Sequence, residues 1–263
     1  MQSVPVDYIV WNWESQVVRV GVDRLGAGPT LLLLPALSSI STRREMRPLQ
    51  ERLASNFTTV AIDWPGFGDE PRPAIQWQPD AYLAFLRYAA APDSTGLLCL
   101  IAPTWRGPLP TMMGRKHKVG EWIARVGDLP VLGQFLYRLN VNPSVVRIMA
   151  RGHVYVDPDW LRDRRLTQKM TVVRTTGARH ASIRFVTGML ALTTSRSDFL
   201  EAARRFKAPI LVLYGAATPK RSKAEMQALG ALPNVLSVEL PSGKLGVHEE
   251  FPVDGICSPP EWG

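Results

Sequence analysis

The sequence predicts an α/β fold in which a parallel sheet is interrupted by a helical insertion of roughly one hundred residues. Three observations carry this. Short, continuous apolar runs recur, "TLLLL" (30–34), "FTTVAI" (57–62), "LLCLIA" (97–102) and "PILVLYGA" (209–216), with the length and composition of strands buried on both faces. Helix-spaced segments alternate with them. Between about residue 105 and residue 205 the strand signals stop, and helical segments separated by Gly and Pro take over.

Taken in order, "VVRVGVDR" (17–24) alternates apolar and polar residues and reads as a strand, with the turn "LGAGP" after it. "STRREMRPLQERLA" (41–54) opens on a Ser/Thr cap and continues as a helix with a proline in its middle. "PDAYLAFLRYAAA" (79–91) is a second helix with Pro near its start. The insertion holds "VGEWIARVGDL", "LGQFLYRLN" and "SRSDFLEAARRF". The helix "SKAEMQALG" then separates "PILVLYGA" from a last strand, "NVLSVELP" (234–241). The expected organisation is a core built from 1–104 and 208–263, with a helical, basic cap over 105–207.

The chain has 263 residues, 46% of them hydrophobic and 21% charged, an ordinary balance for a globular protein. Its net charge of +8 is unevenly placed, because 105–207 alone carries a net +12. That segment is either a solvated basic lobe or a surface that attracts an anionic substrate, partner or lipid. "TLLLLPAL" is too short to span a bilayer, and the N-terminus lacks the basic and apolar regions of a signal peptide. Cys99, in a strand expected to be buried, suits a reduced, cytosolic-type compartment.

"DWPGFGD" (63–69) places Gly66 and Gly68 in a tight turn after a strand. Before it stands "LPALSSIST", and after it follow "LIAPTWRGPLPTM", "LVLYGA" and "GKLGVHEEFP". In this order the motifs resemble the α/β-hydrolase superfamily, and in particular its cyanobacterial and plastid-type members. The resemblance spans nearly the whole chain. It implies a doubly wound sheet, a helical cap over a pocket, and acyl or related transfer by a Ser–His–acid triad on an ester-like or small hydrophobic substrate.

The resemblance also places each part. Backbone N–H groups of Ala36 and Leu37, beside Ser38, stand where an oxyanion hole forms, or are simple loop residues. Thr104, Trp105 and Arg106 stand at the entrance to the cap, where the arginine would grip a carboxylate or phosphate, or where the Pro/Gly context forms a hinge. The nucleophile belongs on a G-x-S-x-G turn between a strand and a helix. The nearest approximation is "PDSTG" around Ser94, which has a helix before it, a strand after it and Pro92 in place of the first glycine. Thr218 stands near the usual acid and Lys244 at the usual histidine. His248 lies four residues on, either a general base by a register shift or a polar anchor for its loop.

One strand–elbow–helix unit is therefore missing, and catalysis is expected to be impaired. The predicted consequence is that 97–102 closes up against 30–34, with ladder hydrogen bonds between them. The other histidines, His117, His153 and His180, form no metal-site spacing, and no phosphate loop or dinucleotide fingerprint occurs, so no metal or cofactor is expected. Three functions fit: an impaired hydrolase, a non-catalytic pocket protein for an anionic ligand or partner, and an RNA- or membrane-surface protein. The basic segment lacks the aromatic–basic interleaving of nucleic-acid modules, so no nucleic acid is expected.

Overall fold

A computed structural model describes residues 7–90, 96–104, 119–193 and 195–252. Among the described residues seven strands form two sheets. The first has the order β1-β2-β4-β3 and the second β5-β6-β7. β1 (Asp7–Trp13) and β2 (Gln16–Leu25) make an antiparallel hairpin across the two-residue turn at Glu14 and Ser15, with Glu14 at φ 53°. β4 (Thr58–Ile62) pairs antiparallel with β2 on one side and parallel with β3 (Thr30–Leu33) on the other. β5 (Leu98–Ile101), β6 (Ile210–Gly215) and β7 (Val235–Leu240) are all parallel.

Side-chain pattern fixes which faces are covered. Val18, Val20 and Val22 alternate inward from β2 onto Trp11, Trp77 and Phe85. Phe85 belongs to α2 (Pro79–Ala89), which presents Ala81, Tyr82 and Phe85 to this core at helical spacing. A 3₁₀ turn, Arg43–Met46, leads into α1 (Arg47–Leu53). Thr42 caps the turn by accepting from the Arg44 N–H, and Pro48 falls in the first turn of α1, where its missing donor costs nothing.

Between β5 and β6 the described residues form helices: α3 (Val119–Asp128), α4 (Pro130–Asn140), α5 (Pro143–Met149) continued by a π turn to Val154, α6 (Asp163–Arg174), α7 (Ala178–Val186) and α8 (Arg196–Arg205). α4 to α7 share a second apolar core that includes Tyr137, Leu161, Met170 and Val173, whereas α8 packs Phe199, Leu200 and Ala203 toward the core of the β5-β6-β7 sheet. α9 (Lys220–Gly230) packs Met226 and Leu229 onto β6, which is buried along its whole length. The short α10 (Val247–Glu250) ends the described chain.

Two expectations fail together. Among the described residues β3 pairs only with β4, and β5 only with β6, so the ladder expected between 30–34 and 97–102 does not form. Both strands are also less covered than a central strand would be. Leu31 to Leu34 are half-buried, and Cys99, expected to be buried, is exposed. Each half-sheet is pinned by its own register and packing. Leu98 and Leu100 are committed to the core on Met226 and Leu229, while Leu33 and Ile101 both rest on Met46, Leu49 and Ala61. Closing the gap would move a three-stranded sheet with its helices, at the cost of that packing. The edges stay apart.

Candidate functional site

The loops at the carboxyl ends of the strands are held by two buried ionic clusters. The first centres on Arg43. Its guanidinium pairs with Asp63 at 2.6 Å, Asp69 at 2.6 Å and Asp23 at 3.1 Å, and its N–H donates to Asp63 Oδ1 at 2.6 Å. Burial works against the charge on Arg43, but Asp63 and Asp69 outweigh it and hold the guanidinium protonated. Burial pushes Asp63 up to about 6 despite Arg43. Asp69 also feels burial, yet Arg43 and Arg44 hold it below the usual carboxylate range. The turn glycines serve this cluster. Gly66 and Gly68 have φ 78° and 83°, and a Cβ on Gly68 would meet the Asp63 carboxylate at 2.4 Å. Their expected structural role is what the geometry displays.

The second cluster joins the last described loop to the helical insertion. Lys169, buried on α6, donates through Nζ to Glu45 Oε1 and, at 3.2 Å, to Glu249 Oε2. Tyr155 donates to the same Glu249 oxygen at 2.6 Å, and the Glu250 carboxylate accepts from the N–H groups of Val156 (2.8 Å) and Asp157 (2.7 Å). Burial lifts Glu45 to about 7 although Lys169 opposes it, and Glu249 adds to the rise. Burial favours a neutral Lys169, but the two carboxylates win and hold it charged. Lys244 makes a further tie, donating to the Arg151 carbonyl at 2.8 Å.

His248 lies inside this cluster and takes no part in its bonds. It is buried, neither ring nitrogen has a hydrogen-bond partner, and its Nε2 stands 4.0 Å from Glu45 Oε2. Burial drops its pKa to about 4, so the imidazole is neutral near pH 7. A general base needs a proton donor within about 2.6–3.2 Å; none of the described residues offers one. Thr218, near the usual place of the acid, is buried with its hydroxyl unpartnered, and its N–H donates to Gly215.

The oxyanion-loop residues lie between β3 and the 3₁₀ turn. Ala36 is exposed and Leu37 and Ser38 are half-buried. The Ser38 hydroxyl accepts from the Ile40 N–H at 3.5 Å, while Pro35 O accepts from the Trp64 indole at 2.8 Å. Among the described residues the N–H groups of Ala36 and Leu37 have no hydrogen-bond partner. Thr104 is exposed two residues beyond Ala102, which follows β5 with φ 45°. Trp105, Arg106 and Ser94 fall outside the described residues.

Sequence reasoning missed two hollows. The first is an apolar recess of about 70 Å³ between Ser39 and the insertion, lined by Ile123, Leu136, Ile183 and Val186. The Ser39 hydroxyl is buried there without a partner, and Ser182 lies beside the Tyr137 hydroxyl. The second is a polar cleft of about 360 Å³ lined by Gln76, Gln78, Glu121, Arg125, Asp128 and Arg184. Asp128 is shared by Arg184 (3.0 and 2.7 Å) and His180 (3.2 Å), which makes His180 a core-edge residue. Burial favours neutral Asp128, but Arg184 and His180 hold its pKa down. Neither hollow had a short-range signal, since each is lined from segments tens of residues apart. Among the described residues no group of His, Cys, Asp or Glu is arranged to hold a metal, and no helix is long and apolar enough to cross a membrane.

The strand order, with helices inserted between β5 and β6, defines the chain as an α/β-hydrolase fold, and solved structures agree. It is similar to a hydrolase from Pseudomonas aeruginosa (TM-score 0.65, 16% identity, 95% of each chain covered). It is also similar to a thermophilic esterase from Thermogutta terrifontis (0.63, 15%, 95% of this chain and 94% of that one) and to the epoxide hydrolase CorEH (0.63, 17%, 94% of each). No family model and no curated protein matches the sequence.

Proposed function

We propose that this is a protein of α/β-hydrolase descent whose nominal reaction, hydrolysis of an ester-like or small hydrophobic substrate, is impaired while its pocket is kept. The observation that carries the reading is the state of the C-terminal loop. Lys244 occupies the place the resemblance gives to the catalytic histidine, and its ammonium is committed to a carbonyl of the insertion. His248, the remaining imidazole of that loop, is walled in among carboxylates without a hydroxyl to activate. The recess beside Ser39, under 105–207 acting as a cap, supports a small apolar occupant, and the N–H groups of Ala36 and Leu37, unpartnered among the described residues, are the proposed oxyanion donors. Ser38, Thr104, Trp105 and Arg106 complete the proposed mouth. The proposed location is the cytoplasm or, in a photosynthetic eukaryote, the plastid stroma.

Turnover of short p-nitrophenyl esters tests this. The expected rate lies well below about 1 s⁻¹, the lower end of ordinary enzymes, with residual reaction unaffected by His248→Leu. Saturable turnover above that rate, lost in His248→Leu, would restore His248 as a general base.

A second reading, a non-catalytic binder of an anionic ligand, is favoured by Arg125, which lines the polar cleft with Gln76 and Gln78 and makes no ion pair among the described residues, while Arg184 there is held by Asp128. A melting-temperature rise with simple carboxylates, abolished in Arg125→Ala, would select it.

A further inference from the structure

Helix α4 is built inside out. Its inward side is set by Gly133, where a Cβ would meet Gly127 O of α3 at 2.1 Å, and by the buried Tyr137 four residues on. At 100° per residue, the arc opposite those two is centred on Phe135 and takes in Val131, Leu132, Arg138 and Leu139. Four of these five outward residues are large and apolar. Val131 is 83% exposed, Phe135 63% and Leu139 60%. The helices before and after it in the chain also carry exposed apolar side chains, Trp122 on α3 at 65% and Ile148 on α5 at 69%. A helix docked on a water-soluble core carries its apolar residues inward; this one shows them to the outside.

Scattered apolar residues on a surface need no explanation, but a continuous helical stripe with an aromatic at its centre marks an interaction face. The charges around it identify the partner. Arg138 lies within the stripe and Arg147 immediately precedes Ile148. Both are exposed, and neither makes an ion pair among the described residues. Across 119–152 the only acids are Glu121 and Asp128, and Asp128 is already taken by Arg184 and His180. The segment 105–207 carries a net +12. Exposed Trp, Phe and Leu bordered by unpaired arginines are the composition of an element that lies in the interface of an anionic bilayer, apolar chains among the acyl groups and guanidiniums on the headgroup phosphates. A second copy of the chain would bring the same arginines against each other.

We infer that the outward face of α4, together with the exposed Trp122 and Ile148, is a docking surface for anionic phospholipid membranes. The chain lies on such a surface and does not span it.

The test is flotation of the full-length protein with unilamellar vesicles of phosphatidylcholine alone and of phosphatidylcholine with about one third phosphatidylglycerol, at low and high salt. The expected result is binding to the anionic vesicles alone, reversed by salt as the Debye length shortens. Arg138→Glu and Arg147→Glu should each weaken partitioning about fivefold or more, a charge near an anionic surface being worth roughly a factor of five. Phe135→Ser with Val131→Ser should abolish binding. These sites are on the surface, so an unchanged melting temperature certifies folding. No binding to anionic vesicles overturns the proposal, as does equal binding to neutral ones. A concentration-dependent dimer that dissociates in the Phe135→Ser, Val131→Ser variant, without lipid binding, would overturn it in favour of self-association.

Discussion

Replacing His248 by leucine should make the protein more resistant to acid. The imidazole is buried, has no hydrogen-bond partner at either nitrogen, and has a folded pKa near 4 against an ordinary value of 6.5. The folded pKa of this base lies below its unfolded value. Below pH 6.5 the unfolded chain therefore takes up the proton first, and stability present above that pH is lost as pH falls toward 4. With one pKa unit worth about 1.4 kcal/mol, the loss amounts to roughly 2 kcal/mol at pH 5 and approaches about 3 kcal/mol at pH 4. Glu45 runs the other way. Its folded pKa is raised to about 7, so its contribution is present at low pH and lost as pH rises through 7. In the wild type the two partly cancel between pH 4.5 and 6.5, and the sum hides each. The difference between wild type and His248→Leu isolates the histidine, because leucine has a similar volume and leaves the carboxylates in place. Urea unfolding followed by tryptophan fluorescence, repeated from pH 7.5 to 4.5, gives that difference directly. The variant should gain on the wild type steadily as pH falls. Parallel profiles would refute the reasoning and mean that His248 is hydrated or paired in solution.

Lys169→Met should cost about 3–5 kcal/mol at pH 7, since Glu45 and Glu249 lose their shared cation in a buried site; adding Glu45→Gln should recover part of it, as equilibrium unfolding will show. Gly68→Ala should destabilise by about 2 kcal/mol or more, because φ 83° and the Asp63 carboxylate both exclude a methyl group; an unfolding free energy within about 0.5 kcal/mol of the wild type would contradict it. Hydrogen exchange should find the amides of β4 and β6, each bonded on both sides, slower than those of β3 and β5, which have one free edge; equal protection in all four would mean that the gap closes in solution.

Most strands were legible because a strand buried on both faces is a local property of the sequence. "PILVLYGA" is such a case, and β6 is buried throughout. "TLLLL" has the same composition, yet its burial depends on what lies across its free edge, and no window of residues reports that. β1 went unread although "DYIVWNW" is rich in aromatic and β-branched residues, the signature of the strand it forms. In the insertion, α3, α4 and α8 announced themselves by periodicity. α6 and α7 did not, because buried Lys169, His180 and Arg184 break the apolar pattern where the polar seams run. The triad's departures could be read residue by residue, since each motif is local. The environment of His248 could not. Its surroundings are assembled from Glu45 in the first half of the chain, Lys169 in the insertion, and its own loop.

The claim that the fold retains a pocket without an activated nucleophile is tested most directly by intact-mass measurement after incubation with a fluorophosphonate. An activated serine is phosphonylated stoichiometrically, whatever its natural substrate. The protein is expected to stay at its unmodified mass over a period in which a serine hydrolase control is fully labelled. A single stoichiometric adduct, mapped to Ser39, Ser94 or any other serine and prevented by His248→Leu, would contradict the account and establish a working catalytic pair.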